Sequence, residues 1–300
     1  MYVIIGATGH TGSAVANKLL ANGKKVRVVG RNAEHLARFA TKGAEPFTGS
    51  ATDKNAMTKA FAGAQAVYVM IPPDITSQDY SVYADQVIHS LATAIEKNDV
   101  KHAVSLSSVG ADKPEKTGPI VGLHRFEERL NRVPGLNVLH LRAAYFMENT
   151  LGQAEAIAQM GSTAGPLSPQ FKFPLIATRD IGEYAAGVLA RLDFSGHQVQ
   201  ELHGERDLSY EEITAILGKA IGKPDLKYLK LTSEQFRDAL VRMGMSANVA
   251  GLLVEMTQGM ESGYLNPLEA RSPRNTTPTS YEAFVKESFM PGYQRVRPAA

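Results

Sequence analysis

Three glycines spaced three apart, Gly6, Gly9 and Gly12, follow the apolar run Tyr2-Val-Ile-Ile5 and precede the helical pattern from Ser13 to Asn22. Gly6 lets the chain reverse, Gly9 lets the backbone approach a bound group, and Gly12 lets the first helical turn pack on the strand. The free N–H groups and the positive dipole end of such a helix point over the turn, and a pyrophosphate suits them best. Thr8, His10 and Thr11 complete the loop. The spacing is Gly-x-x-Gly-x-x-Gly rather than the commoner Gly-x-Gly-x-x-Gly, so its reading as a dinucleotide cradle depends on the strand before it and the helix after it.

The end of the second strand chooses between dinucleotides. An acidic residue there binds the ribose 2′-OH of NAD, whereas an Arg accommodates the 2′-phosphate of NADP. The chain reads Val29-Gly30-Arg31-Asn32, with no carboxylate until Glu34. NADP(H) is the expected cofactor, with Arg31 on its phosphate. Parallel sheets bind ligands beyond the carboxyl ends of their strands. Asp53 is therefore expected near the adenine, Ile71, Pro72 and Pro73 near the ribose or pyrophosphate, and Ser107 and Ser108 near the nicotinamide.

The elements that must hold these residues alternate. Strand patterns at 25–29, 45–47, 66–71, 103–106 and 136–141 are separated by helical patterns at 33–41, 53–62, 77–97 and 121–131. Such alternation predicts an α/β fold, a Rossmann-type doubly wound parallel sheet. After a helix at 149–159 comes a breaker-rich loop, 161–169, then a helix at 176–192 with Thr178 as candidate N-cap and a strand at 199–202. Beyond Gly204 the pattern is mainly helical, with capping boxes at Ser209…Glu212 and Thr232…Gln235, helices at 232–243 and 247–260, and a tail marked by Pro267, Pro273 and Pro278. The expected organisation is a dinucleotide-binding domain over 1–150 and a smaller, mainly helical substrate-binding domain over 151–300.

Composition excludes several classes. The 300 residues include no cysteine, so disulfides, thiolate metal sites and a cysteine nucleophile are ruled out. The eight histidines show no His-x-x-x-His pairing, and no metal site is expected. A net charge of +2 gives no commitment to nucleic acid or an anionic membrane. No apolar run approaches the ~18 residues of a membrane helix. With a strand pattern from Tyr2 onward, the expectation is a cytoplasmic protein without a leader.

Together, Gly6-Ala-Thr-Gly9-His-Thr-Gly12, Val29-Gly30-Arg31, Ser105-Leu-Ser107-Ser108-Val-Gly110, Leu141-Arg142-Ala-Ala-Tyr145-Phe146-Met-Glu148-Asn149 and Thr178-Arg-Asp180-Ile181-Gly182 resemble the NmrA-like branch of the atypical short-chain dehydrogenases/reductases. That branch holds NADPH-dependent quinone, azo-dye and triphenylmethane-dye reductases, and redox-sensing regulators that bind the dinucleotide without turnover. The resemblance implies that 173–202 returns to the dinucleotide domain. It also implies that the loop around Tyr145 and Phe146 lines the cleft with the small domain. Where relatives often carry Gly-Asp-x-x-Asp, this chain has Gly49-Ser50-Ala-Thr-Asp53, which leaves position 50 without the acid.

Alcohol-oxidising short-chain dehydrogenases use a Tyr activated by a Lys four residues on, because a proton must move with the hydride. None of the eleven tyrosines has a Lys at that spacing. The corresponding segment reads Gly122-Leu-His124-Arg-Phe-Glu127-Glu128. On a helix His124 shares a face with both carboxylates, and it reads equally as a proton donor or nicotinamide contact and as a solvated helix residue. Tyr145 is placed to stack on a flat aromatic ligand, and Phe146 to pack between domains. Glu148 and Asn149 read as caps for the helix that follows. The catalytic candidates are thus His124 and Tyr145.

The leading expectation is an NADPH-dependent reductase that passes hydride to a small aromatic or quinone-like substrate, a quinone, azo dye or triphenylmethane dye, with weak discrimination. The alternative is an NADP(H)-binding regulator that meets a protein partner; a homodimer is compatible with either.

Overall fold

The computed structural model describes residues 1–296. Its centre is a sheet of seven strands, all parallel: β1 (Tyr2–Ile5), β2 (Val26–Gly30), β3 (Glu45–Thr48), β4 (Ala66–Val69), β5 (His102–Ser108), β6 (Asn137–Ala143) and a later strand, His197–Leu202, in the order β3-β2-β1-β4-β5-β6-(197–202). Side chains alternate across it as the two-residue repeat of a strand requires. Tyr2 and Ile4 enter one apolar core with α1 (His10–Ala21), α2 (Ala33–Ala40) and the helix Thr178–Arg191. Val3 and Ile5 enter the other with α3 (Lys54–Ala60), α4 (Tyr80–Lys97) and α5 (Ile120–Asn131). This is the doubly wound Rossmann-type fold.

After β6 the chain enters β7 (Tyr145–Phe146), a 3-10 turn (Met147–Thr150), α6 (Gln153–Met160), β8 (Ser162–Gly165), β9 (Phe173–Ile176) and α7 (Thr178–Arg191), reaching β10 (His197–Leu202), the sheet's seventh strand. Within 173–202, α7 packs on α1 and β10 pairs with β6, while β9 pairs instead with β7 and with β11 (Asp207–Leu208). Gly182 allows the α1–α7 crossing, because a Cβ there would stand 2.3 Å from Ala14 Cβ and 2.9 Å from Thr11 O.

The remaining chain forms α8 (Tyr210–Ala220), β12 (Lys227–Lys230), α9 (Ser233–Arg242), α10 (Ala247–Glu261), α11 (Tyr281–Phe284), a π-turn (Val285–Phe289) and α12 (Met290–Val296). Both predicted capping boxes form. The breaker-rich loop contains a strand, since β8 pairs with β12 more than 60 residues away. The proline-marked tail ends in helices: Tyr281, Phe284, Phe289 and Tyr293 fill a third core with Phe173, Tyr210 and Leu217. Thr178 is not an N-cap. It is the first residue of α7, and Glu148 caps that helix by accepting from Thr178 N (3.1 Å) and Oγ1 (2.6 Å). Among the described residues no helix is long and apolar enough to cross a membrane.

Candidate functional site

The glycine loop sits at the carboxyl end of β1, at the sheet's centre. Gly6 adopts φ +69°, the left-handed conformation that glycine tolerates. A Cβ on Gly12 would lie 2.4 Å from Gly6 O and 2.7 Å from Gly6 C, so the first turn of α1 rests directly on the loop. No side chain caps α1 and no acidic residue occupies its first turn. By contrast α2, α3 and α4 are capped by Asn32, Asp53 and Asp79. The orphan N–H groups of α1 therefore face an acceptor from outside the helix, and a phosphate fits them.

Thr8, Gly9 and His10 are exposed at the mouth of a cavity of about 510 Å³. Arg38 lines it as well, with its guanidinium 4.9 Å over the Phe39 ring and Nη2 3.4 Å from Thr8 O. The opposite wall carries Glu148, Thr178, Arg179 and Glu287. Two helix starts thus open on one cavity: α7, closed by Glu148, and α1, left open.

Arg31 is exposed at the end of β2, and Asn32 behind it caps α2. Its charge reaches Tyr83, whose hydroxyl donates to Pro72 O at 2.7 Å. Burial pushes that phenol up to about 12, Tyr80 and Asp74 add to the effect, and Arg31 works against it. Ile71, Pro72 and Pro73 follow β4 on the same edge. Asp53 Oδ1 accepts from Asn55 and Ala56 N–H and so caps α3.

A second cavity, of about 200 Å³, lies between the ends of β5 and β6 and the smaller sheet and helices. Ser108, Val109, Ala143, Ala144 and Tyr145 line one side; Phe171, Phe173, Met256, Met260 and Leu265 line the other. β7 splits its two side chains. Tyr145 packs with the third core, edge-on to Phe173 at 5.3 Å, while Phe146 packs on the sheet. Burial raises the Tyr145 phenol's pKa, so it stays protonated. Its hydroxyl lies 3.4 Å from that of Tyr210.

Beneath this cleft the register sets Ser107 beside Arg142. Glu127 of α5 reaches both. It accepts from Ser107 Oγ at 2.5 Å and from Arg142 Nε and Nη2 at 3.0 and 2.6 Å. Burial disfavours the guanidinium's charge, but Glu127 outweighs it and raises the Arg142 pKa. Glu127 is therefore turned away from His124. The His124 imidazole donates from Nδ1 to Ala111 O at 2.9 Å, and its Nε2 is 3.8 Å from Glu128.

The structure thus gathers Thr8, Gly9 and His10 at one cavity and Ser108 and Tyr145 at the other. Gly6, Thr11 and Gly12, deeper in the same turn and the start of α1, line neither cavity. Arg31, Asp53, Ile71, Pro72, Pro73, Ser107 and His124 line neither cavity. Sequence reasoning missed Arg38, Phe171, Met256, Met260 and Leu265. Only Arg38 left a signal, a second cation seven residues beyond Arg31 on a short helix.

The model of the NmrA-like family matches residues 2–284. The chain belongs to the NmrA-like family. Among its relatives is an NAD(P)H azoreductase of Xenophilus azovorans, 28% identical over 262 residues, 85% of this chain and 86% of that protein. A (4-alkanoyl-5-oxo-2,5-dihydrofuran-3-yl)methyl phosphate reductase of Streptomyces griseus is 30% identical over 243 residues, 80% of each chain. The fold of this NmrA-like protein also matches the crystal structure of an Escherichia coli NADPH-dependent quinone oxidoreductase complexed with NADPH. There the TM-score is 0.81 and the identity 23%, over 96% of this chain and all of the other.

Proposed function

We propose that this NmrA-like protein is an NADPH-dependent reductase of flat, conjugated, electrophilic acceptors, with quinones of one or two rings as its best substrates. The observation that carries the reading is the uncapped start of α1 over a glycine loop too tight for a side chain at Gly12. The relatives named as an NAD(P)H azoreductase and a (4-alkanoyl-5-oxo-2,5-dihydrofuran-3-yl)methyl phosphate reductase support the same reaction class.

In this reading the N–H groups of His10, Thr11 and Gly12 hold the pyrophosphate, and Arg31 and Arg38 hold the 2′-phosphate. When bound, the nicotinamide supplies the hydride. Residues 151–296 act as the substrate-binding part through Phe171, Met256, Met260 and Leu265, which exclude water and press the acceptor flat. The methionines adapt to different ring shapes. At about 200 Å³ the cleft falls below the ~300–1,000 Å³ of most ligand pockets, so small acceptors are favoured over triphenylmethane dyes.

The Tyr145 phenol, kept protonated, donates a hydrogen bond to the acceptor oxygen as negative charge develops, and solvent supplies the final proton. His124, held by the Ala111 carbonyl and outside the cleft, is assigned to fixing the loop after β5. The test is acceptor-dependent loss of NADPH absorbance with benzoquinones, naphthoquinones and azo or triphenylmethane dyes, run beside NADH. Turnover preferring NADPH and small quinones is expected. Tight NADPH binding without reduction of any acceptor would refute the reductase and favour a dinucleotide sensor.

A further inference from the structure

The outer rim of the acceptor cleft is a loop tied to the sheet by a buried carboxylate. Between α10 and α11 the chain runs through 262–280, and Leu265, Asn266 and Pro267 of this stretch line the cleft. Leu265 is seated on Gly110, where a Cβ would stand 2.3 Å from Leu265 Cδ2. Three residues later the loop meets Glu201, at the end of β10 and only 1% exposed. Its Oε1 accepts from Leu268 N at 2.9 Å, its Oε2 from Glu269 N at 3.0 Å, and His203 Nε2 lies 3.3 Å from Oε2.

We infer that Glu201 is a positioning and specificity-determining residue, whose buried carboxylate pins the 265–269 loop and thereby limits the cleft to acceptors of one or two fused rings. The inference rests on the reductase reading. A buried carboxylate persists only where donors compensate its lost hydration, and here three donors converge on it. Burial opposes the charge, but His203 and the two backbone N–H groups hold the Glu201 carboxyl below the usual glutamate range. An amide cannot replace it. Its single oxygen satisfies at most one side of the fork, and its NH2 would face an N–H. Glu201 lines neither cavity and its charge also faces Arg142 of β6, but its hydrogen bonds to the cleft's rim run to the 268–269 backbone, so it acts on the cleft's height through the loop.

The test compares wild type with Glu201→Gln by three readouts. Hydrogen exchange of 262–272 without ligand should quicken by about tenfold, while exchange in β1 to β6 stays unchanged. KM for a naphthoquinone should rise about fivefold and that for a triphenylmethane dye should stay or fall, so that discrimination between them drops by about fivefold or more. Kd for NADPH should stay within about twofold. Unchanged loop exchange, unchanged discrimination, or equal losses for NADPH and acceptor would overturn the inference. Should Glu201→Gln unfold, Leu268→Pro deletes one donor from the loop side, at a residue that is 61% exposed, and must give the same pattern. Absence of any turnover by the wild type would sink the reductase reading, and the exchange measurement would still judge the pin.

Discussion

Replacing Arg31 by Ala removes a guanidinium that the proposed reading places on the 2′-phosphate. Arg31 is exposed at the end of β2, so its attraction to a phosphate is screened by water. At about 4 Å the Coulomb attraction of two unit charges runs from ~1 kcal/mol in bulk water to ~4 kcal/mol near a protein surface. A hydrogen bond to a charged group contributes about 1.5–3 kcal/mol net. Taking ~2 kcal/mol, NADPH should bind roughly 30-fold more weakly to Arg31→Ala, and NADH within about twofold of wild type. Arg38→Ala should cost NADPH less, about three- to tenfold, because its guanidinium already leans on Thr8 O and the Phe39 ring. The assay is titration of nicotinamide fluorescence, which no tryptophan of this chain can sensitise or obscure. Raising salt should narrow the NADPH preference, since an ion pair at the exposed surface weakens as ionic strength rises. Equal weakening of NADPH and NADH, or a preference that survives Arg31→Ala, would refute the placement of the phosphate.

Three further outcomes follow from particular contacts. Gly12→Ala forces its Cβ into Gly6 backbone and should cost about 1–3 kcal/mol of stability together with NADPH affinity; Gly9→Ala meets only Gly6 O at 3.4 Å and should weaken NADPH without lowering the melting temperature. Glu127→Gln strands the Arg142 guanidinium and should destabilise by about 3 kcal/mol in urea melts, with NADH and NADPH affected alike. Burial pushes His140 down to about 4, with Arg142 and His197 adding to the effect and Glu127 opposing it. Its folded value lies below the ~6.5 of an unfolded chain, so the unfolded state takes the proton first. Stability should therefore fall by about 2 kcal/mol between pH 7 and pH 5 and level off near 4; His140→Gln should flatten that slope, and an unchanged slope would contradict the assignment.

What the sequence determined alone is what adjacent residues decide. β1, the glycine turn and α1 follow from contacts within a dozen residues. So do the strand–helix alternation and the capping boxes at Ser209 and Thr232, because backbone hydrogen bonds and Cβ clashes there involve near neighbours. The place of Arg31 just after β2 was legible for the same reason, as the alternation fixes where that strand ends. The start of α4 was blurred, since the helix begins at Tyr80 behind its cap Asp79 rather than at residue 77.

Tertiary structure decided whatever needs a partner from afar. Glu148 caps α7 from 30 residues earlier, and Asp180 accepts from Thr279 N and Oγ1 across 99 residues. These contacts explain the Thr178–Gly182 motif: Thr178 takes a cap, Asp180 anchors the C-terminal helices, and Gly182 admits α1. β8 reads as loop until β12 satisfies its backbone, and the final helices read as tail until the third core covers their aromatic faces. The second cavity is of the same kind. Its walls come from Ser108, Tyr145, Phe171, Met256 and Leu265, five separate stretches with no spacing in common, because burial between layers rather than chain order brings them together.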